Sequence, residues 1–323
     1  RGSTPLLPGP LNFVPGSNGV LPLALFRDGA VYPGDVFAAQ GGQLAAGEPH
    51  FTRIRDGATS RLADINPDVV GGWTGPAFAW ADGCVFGARE SVPRIWYSSG
   101  PPDQPRPILE FSYPGVAMTV VAATPLRGGQ LLFVQYPGAP LAELQNVLDM
   151  LYLEHPSAQP TLCARVPWAD TTPAPGPFVQ LDDRVVFRLT SGGSALWTSD
   201  ATPQGTLRLA QLGGSASGAA GPVYKGGRAY VTTSFVTGCG DASILETDGT
   251  EAGTSISELF PAGCSGAVSS LTPMDHGLLL IRGLSEVYRY DVTSRELHRL
   301  DAGSLPFSTL GPLHPVGNEA FVR

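Results

Sequence analysis

The feature that most constrains this chain is a motif that repeats in register 48 residues apart. Ala195–Leu212 contains Leu196-Trp197-Thr198-Ser199-Asp200, four turn residues, then Gly205-Thr206-Leu207. Ser243–Leu259 contains Leu245-Glu246-Thr247-Asp248, four residues, then Gly253-Thr254-Ser255. Asp200 to Asp248 and Gly205 to Gly253 are the same interval, so the match needs no gap. A period of about 40–50 residues built from strand-forming segments marks a propeller-type array, in which each repeat is one small sheet.

A shorter mark recurs along the whole chain, a tight turn followed by a short apolar run. It occurs at Asp28-Gly29, Asp82-Gly83, Gly128-Gly129, Asp182-Asp183, Gly226-Gly227, His276-Gly277 and Gly317-Asn318. From Asp28 to Gly317 these seven copies average about 48 residues apart. Gly and Asp in such turns supply the positive φ that two-residue hairpins require. Each copy is read as the inner hairpin of a four-stranded blade. The outer hairpin is the long motif or a weaker relative: Ile54–Ile65, Ile95–Phe111, Leu151–Arg165 and Val287–Leu300.

An aromatic at one outer position (Trp96, Tyr152, Trp197, Tyr288) is expected to wedge between neighbouring sheets. Asp56, Asp200, Asp248 and Asp291 fall where a short carboxylate can bond the turn backbone, and are read as structural.

The fold expected is therefore all-β: a single β-propeller over residues 1–323 with seven four-stranded blades, or six as the alternative. Gly2–Leu7 resembles Gly205–Leu209 and is expected to close the last blade, whose hairpin is Leu313–Arg323. One strand of that blade is missing, so the native chain is expected to run past Arg323. Closure removes the exposed edges an open array would carry. With 42% hydrophobic and 15% charged residues, and abundant Gly and Pro, the composition fits a globular core cut by many turns.

The motifs Leu196-Trp197-x-Ser199-Asp200-x-Thr202-x-x-Gly205-Thr206 and Leu245-x-Thr247-Asp248-Gly249-Thr250-x-x-Gly253-Thr254 resemble the ELWxxDGTxxGT repeats of secreted bacterial β-propellers, common in myxobacteria. The resemblance is specific over these two blades and degenerate elsewhere. It implies a propeller and an extracytoplasmic setting (periplasmic, cell-surface or secreted), and no particular activity. No apolar run reaches membrane-helix length, and the lack of a leader fits a mature exported chain.

Charge excludes one partner class. The net charge is −8, and Lys225 is the only lysine, so no basic stripe exists for nucleic acid. Among the four cysteines there is no C-x-x-C pair. Cys239 and Cys264 lie in Gly-rich loops of successive repeats and are a candidate structural disulfide, which would require an oxidising compartment. Cys84 reads as a buried free thiol.

Function is sought on the loops between the second and third strands of each blade, which in a propeller share one face with the blade-to-blade connections. Three are long: Gly34–His50, Pro137–Met150 and Phe235–Ala242. Leu141, Leu144, Leu148 and Leu151 recur at helical spacing after Pro140, so residues 137–150 are expected to form a helical insertion in the third blade.

The residues expected to bind a partner are Phe37, Tyr136, Leu141, Leu144, Asn146, Phe235 and Asp241. No catalytic residue, metal ligand or cofactor is expected. The five histidines lack metal-ligand spacing and no G-x-S-x-G elbow is present. A metal-dependent propeller hydrolase would draw on Asn12, Asn66, Asp68 and Asp170, which share no common offset within the repeats. The sequence reading is thus a non-enzymatic protein-interaction or scaffold propeller of a bacterial envelope, surface or secreted assembly. A carbohydrate-binding propeller is the alternative, and the hydrolase a lesser one.

Overall fold

Two residues in a left-handed turn are what the hairpins need, and the third and fifth repeats of this turn show it directly. Arg127 and Gly128 have φ of 49° and 80°, and Gly226 and Gly227 have 57° and 81°. The flanking pairs Leu126↔Gly129 and Lys225↔Arg228 then open regular antiparallel ladders. The first of these turns falls one residue earlier than the Gly-Gly pair suggested.

The computed structural model describes residues 24–26, 29–33, 37–38, 44–45, 49–53, 55, 57–61, 73–80, 83–89, 92–101, 103–110, 118–141, 144–168, 173–190, 193–213, 220–234, 242–260, 268–282, 286–300, 314–316 and 319–321. All the regular structure among them is strand. Six successive four-stranded antiparallel sheets appear, each strand pairing with the next in chain order apart from a two-stranded hairpin, Phe37–Ala38 with Leu44–Ala45, inserted in the first. A further hairpin pairs His314–Val316 with Glu319–Phe321. This succession of four-stranded meanders is the blade repeat of a β-propeller, as the turn spacing implied. The strand Gly2–Leu7, proposed to close the last blade, lies outside the described residues, as do Asp56, Cys239 and Cys264.

The chain divides into two compact units, Arg1–Pro167 and Trp168–Arg323. The first contains sheets 1 to 3. Sheet 1 is built of Ala24–Phe26, Gly29–Pro33, Pro49–Arg53 and Thr59–Arg61. Sheet 2 has Trp73–Trp80, Gly83–Arg89, Pro93–Ser98 and Arg106–Glu110. Sheet 3 has Thr119–Leu126, Gly129–Leu141, Leu144–Leu153 and Thr161–Pro167.

The second unit contains sheets 4 to 6. Sheet 4 has Ala174–Leu181, Arg184–Thr190, Ser194–Ser199 and Leu207–Gly213. Sheet 5 has Val223–Lys225, Arg228–Ser234, Ala242–Thr247 and Ser255–Phe260. Sheet 6 has Val268–Met274, Gly277–Arg282, Glu286–Tyr290 and Leu297–Leu300.

Packing follows from position in the sheet. The two middle strands are covered on both faces, so they read as continuous apolar runs such as Leu131–Val134 and Val185–Phe187, all fully buried. The outermost strands are half exposed, and Leu162, Ile256 and Leu300 stand in water there. Sheets meet face to face within each unit. Val31 and Phe51 of sheet 1 pack on Phe86 and Trp96 of sheet 2. Val85, Ile95 and Tyr97 of sheet 2 pack on Leu132, Val134 and Leu151 of sheet 3. Val186 and Leu196 of sheet 4 pack on Val231 and Leu245 of sheet 5, and Tyr230 and Ile244 of sheet 5 pack on Leu280 and Tyr288 of sheet 6.

Two of the predicted wedges, Trp96 and Tyr288, fill these seams. Tyr152 does not share their position. Its neighbour Leu151 pairs with Leu132 and enters the seam, which leaves Tyr152 on the opposite face with its hydroxyl donating to the Arg127 carbonyl at 3.4 Å. A one-residue offset in a strand exchanges the faces completely.

The helical insertion is not observed. Residues 137–141 continue the second strand of sheet 3 and 144–150 belong to its third, with Leu141 paired to Leu144 across a two-residue turn. The third strand is covered on both faces, so Val147, Leu148 and Met150 are all fully buried. A strand with both faces apolar carries leucines at any spacing, a helical one included.

Candidate functional site

The aspartates of the repeat motif are held by a set of hydrogen bonds within their own turns. Asp200 Oδ1 accepts from the Thr202 amide at 3.0 Å and from its hydroxyl at 2.6 Å. The Gly205 amide donates to Thr202 Oγ1, and Thr206 Oγ1 donates back to the Thr202 carbonyl. Asp248, Thr250, Gly253 and Thr254 repeat every one of these bonds. A Cβ on Gly205 or Gly253 would run into the Asp200 or Asp248 carboxylate, which is why the motif needs glycine there. Asp291 accepts from the Thr293 and Ser294 amides. These carboxylates close turns, as read from the sequence.

The loops between the second and third strands are elaborated unevenly. In the first unit, sheet 1 spends the residues between Pro33 and Pro49 on a small hairpin, Phe37–Ala38 with Leu44–Ala45. Sheet 2 turns between Arg89 and Pro93. Sheet 3 extends its two middle strands past their neighbours as a two-stranded ribbon, Pro137↔Asn146 and Leu141↔Leu144. In the second unit, sheets 4 and 6 turn between Thr190 and Ser194 and between Arg282 and Glu286.

A polar cluster sits at the base of the sheet 3 ribbon. Asp149 is 2% exposed, yet it lies on the apolar face that meets sheet 2. Arg165, directly opposite on the fourth strand, holds it by two bonds of 2.7 Å from Nε and one terminal nitrogen. This forked geometry satisfies both carboxylate oxygens of a charge that could not otherwise be buried. Tyr136, 1% exposed, shares that face. Burial pushes its hydroxyl up, the Asp149 charge adds to this and Arg165 opposes it, so the phenol stays protonated. Arg165 keeps 40% of its side chain in solvent. The cluster fixes the root of the ribbon and presents a guanidinium edge beside it.

The predicted partner-binding residues separate accordingly. Tyr136 is core, held there by the seam with sheet 2, and offers no surface to a partner. Asn146 is half-buried at the ribbon's first rung. Leu141 and Leu144 form the ribbon's tip rung as strand residues, and Phe37 lies in the small hairpin of sheet 1. Phe235 and Asp241 lie outside the described residues, as do Asn12, Asn66, Asp68 and Asp170. Cys84 is a free thiol, fully buried, and burial pushes its pKa well up; Cys163 is buried, and its thiol donates to the Thr161 carbonyl at 3.6 Å. Sequence reading missed Asp149 and Arg165. Their signal was a lone acid in an apolar run opposite an Arg, which becomes visible only once the register is known.

A second polar surface lies at the other end of sheet 2. A cavity of about 470 Å³ is lined by Tyr97, Ser99, Asp103, Gln104 and Arg106. Ser99 donates to Asp103 at 2.6 Å, and the Arg106 guanidinium stands 5.8 Å over the Tyr97 ring. Among the described residues no three His, Cys, Asp or Glu side chains gather as a metal site would require, and no helix is long and apolar enough to cross a membrane.

No family model matches the chain, and no curated protein matches it. Among solved structures it is similar to the β-propeller domain of the Trilobed protease from Pyrococcus furiosus, at 10% identity and TM-score 0.38, covering 87% of this chain and 84% of that one. It is also similar to the tricorn protease, at 13% identity and TM-score 0.36, covering 88% and 26% of the two chains. Trypanosoma rangeli sialidase matches at 11% identity and TM-score 0.42, covering 86% and 53%. The chain therefore spans about a quarter of the tricorn protease and about half of the sialidase. Likeness at this level says nothing of activity.

Proposed function

We propose that this chain is a non-enzymatic, protein-binding propeller of a bacterial envelope, surface or secreted assembly, and that its contact face is the one bearing the loops between second and third strands. The observation that carries this reading is the sheet 3 ribbon. It is a paired extension beyond the sheet, next to the short turn of sheet 2 and in the same unit as the small hairpin of sheet 1. Non-equivalent extensions suit one asymmetric protein partner better than a sugar site repeated in each blade. The extracytoplasmic setting rests on the motif resemblance alone.

The test is capture from envelope and secreted fractions of the source organism. The full chain is compared with one in which residues 138–145 are replaced by a two-residue Asn-Gly turn. Deletion must stop there, because Val147, Leu148 and Met150 are core. A protein held by the full chain and lost from an equally stable ribbonless chain supports the proposal. Equal capture by both refutes the assigned face.

The cavity at Tyr97 and Arg106 favours a second reading, carbohydrate binding, since an aromatic beside Asp, Gln and Arg is chemistry that sugars use. Retention on a polysaccharide matrix that Asp103→Ala abolishes would select it.

A further inference from the structure

The turn joining the third and fourth strands keeps one frame in sheets 2, 4 and 5. The side-chain oxygens of Ser98, Ser199 and Thr247 each accept from the amide two residues on, at 3.1, 3.2 and 2.9 Å. The donors Gly100, Ala201 and Gly249 are all left-handed, with φ of 82°, 69° and 88°. Eight residues after each hydroxyl, Arg106, Leu207 and Ser255 open the fourth strand opposite Tyr97, Thr198 and Glu246. The three turns therefore align residue by residue.

What fills the turn differs. In sheets 4 and 5 the Asp200 and Asp248 carboxylates lie against Gly205 and Gly253, and the Thr202 and Thr250 hydroxyls donate to them. In sheet 2 the place of this aspartate is taken by Ser99 and that of the glycine by Gln104, while Pro101 and Pro105 stand where sheet 4 has Thr202 and Thr206. The carboxylate of the sheet 2 turn comes instead from Asp103, which accepts from the Ser99 hydroxyl at 2.6 Å. The cavity of about 470 Å³ lies at this altered turn, lined by Tyr97, Ser99, Asp103, Gln104 and Arg106. Its volume is in the range of small-molecule sites.

The cavity carries one charge of each sign. Arg106 stands where sheets 4 and 5 have the uncharged Leu207 and Ser255. Among the described residues neither Arg106 nor Asp103 makes an ion pair, although both line the same cavity, and the Gln104 amide has no hydrogen bond. Tyr97 is 8% exposed, with Trp80 against it and the Arg106 guanidinium 5.8 Å from its ring centroid. The ring thus steadies the guanidinium and leaves little surface for a ligand to stack on.

We propose that this turn binds a small zwitterion of the α-amino acid type, its carboxylate on the Arg106 guanidinium and its ammonium on the Asp103 carboxylate. A guanidinium takes a carboxylate through two parallel bonds, and an ammonium donates to a carboxylate in the same charge-assisted way. A ligand with only a carboxylate would face Asp103, and one with only an ammonium would face Arg106, so each half alone is disfavoured. The inference does not rest on the ribbon, and it names a different occupant for this cavity from the sugar considered above.

The experiment is saturation-transfer NMR on the full chain, with a mixture of the natural α-amino acids in one arm and of glucose, galactose, mannose and N-acetylglucosamine in the other. At least one amino acid should bind, with Kd of about 1 mM because ion pairs open to solvent are each weak. Its deaminated acid and its decarboxylated amine should each bind about fivefold more weakly, and Arg106→Gln and Asp103→Asn should each weaken the amino acid by the same factor. Both residues are exposed, so these variants should keep Tm within about 2 °C of the parent. S99D/P101T/Q104G, which restores the filled turn of sheets 4 and 5, should abolish binding without lowering Tm. Saturation of sugars alone overturns the zwitterion and leaves the carbohydrate reading standing, and saturation of neither class overturns both. Equal binding of the acid or the amine, or undiminished binding by any of the three variants, also overturns the proposal.

Discussion

The two seams of the second unit share a backbone plan and differ in how their polar groups are satisfied. Between sheets 5 and 6, Glu246 is buried, and it accepts from Arg295 of sheet 6 at 2.5 Å with Arg228 at 3.8 Å. Tyr230 and Tyr290 occupy the same seam. Burial first, and the Glu246 charge second, push both phenols up, so they stay neutral beside it. Between sheets 4 and 5 the position equivalent to Glu246 is Thr198, whose buried hydroxyl has no partner. The turns on either side are bonded identically at Asp200 and Asp248. Local turn chemistry is thus repeated, while seam chemistry is particular to each pair of sheets.

The largest effect expected is from the apolar part that both seams share. Leu196→Ala and Leu280→Ala each remove a fully buried side chain and should each cost about 3 kcal/mol in urea unfolding. A much smaller cost at Leu196 would show that the sheet 4–5 seam is the looser of the two. Next comes Gly253→Ala, whose methyl would displace the Asp248 carboxylate from its bonds, at about 2 kcal/mol; Gly205→Ala should match it if the turns are truly equivalent.

A smaller contrast separates the seam positions themselves. Glu246→Gln should cost about 1 kcal/mol, the modest value reflecting that Arg295 is more than half exposed. Thr198→Val should be neutral or stabilising by about 0.5 kcal/mol, since it removes an unpaired hydroxyl. Comparable losses in both would erase the distinction between the seams.

The smallest effect is in acid. The Thr250 hydroxyl holds the Asp248 carboxyl below its ordinary 3.8, and the Ser294 amide does the same for Asp291. A depressed carboxylate stabilises fully above its unfolded value, and that contribution is lost as pH falls through the folded value. Melting curves from pH 5 to pH 2 should therefore show a decline below pH 4 that Asp248→Asn and Asp291→Asn each reduce. A profile unchanged by either substitution would remove these turns from the acid response.

Much of this was legible in the residue string because it depends on contacts a few residues apart. The two-residue turns and the bonding of Asp200, Asp248 and Asp291 each close within one hairpin, and the blade repeat shows as the 48-residue spacing of those hairpins. Cys84, set among strand apolars, was read correctly as a buried thiol for the same reason. The sequence by itself determined the blade and its turns. Only tertiary structure decided which face each strand residue takes. It made strand of 137–141 and 144–150, put Tyr136 and Leu151 in a seam and Tyr152 opposite, and brought Arg165 onto Asp149. It also left Ser194 and Thr233 without partners. In a sheet covered on both sides, hydrophobic pattern no longer marks inside from outside, so register and the neighbouring sheet carry that information instead.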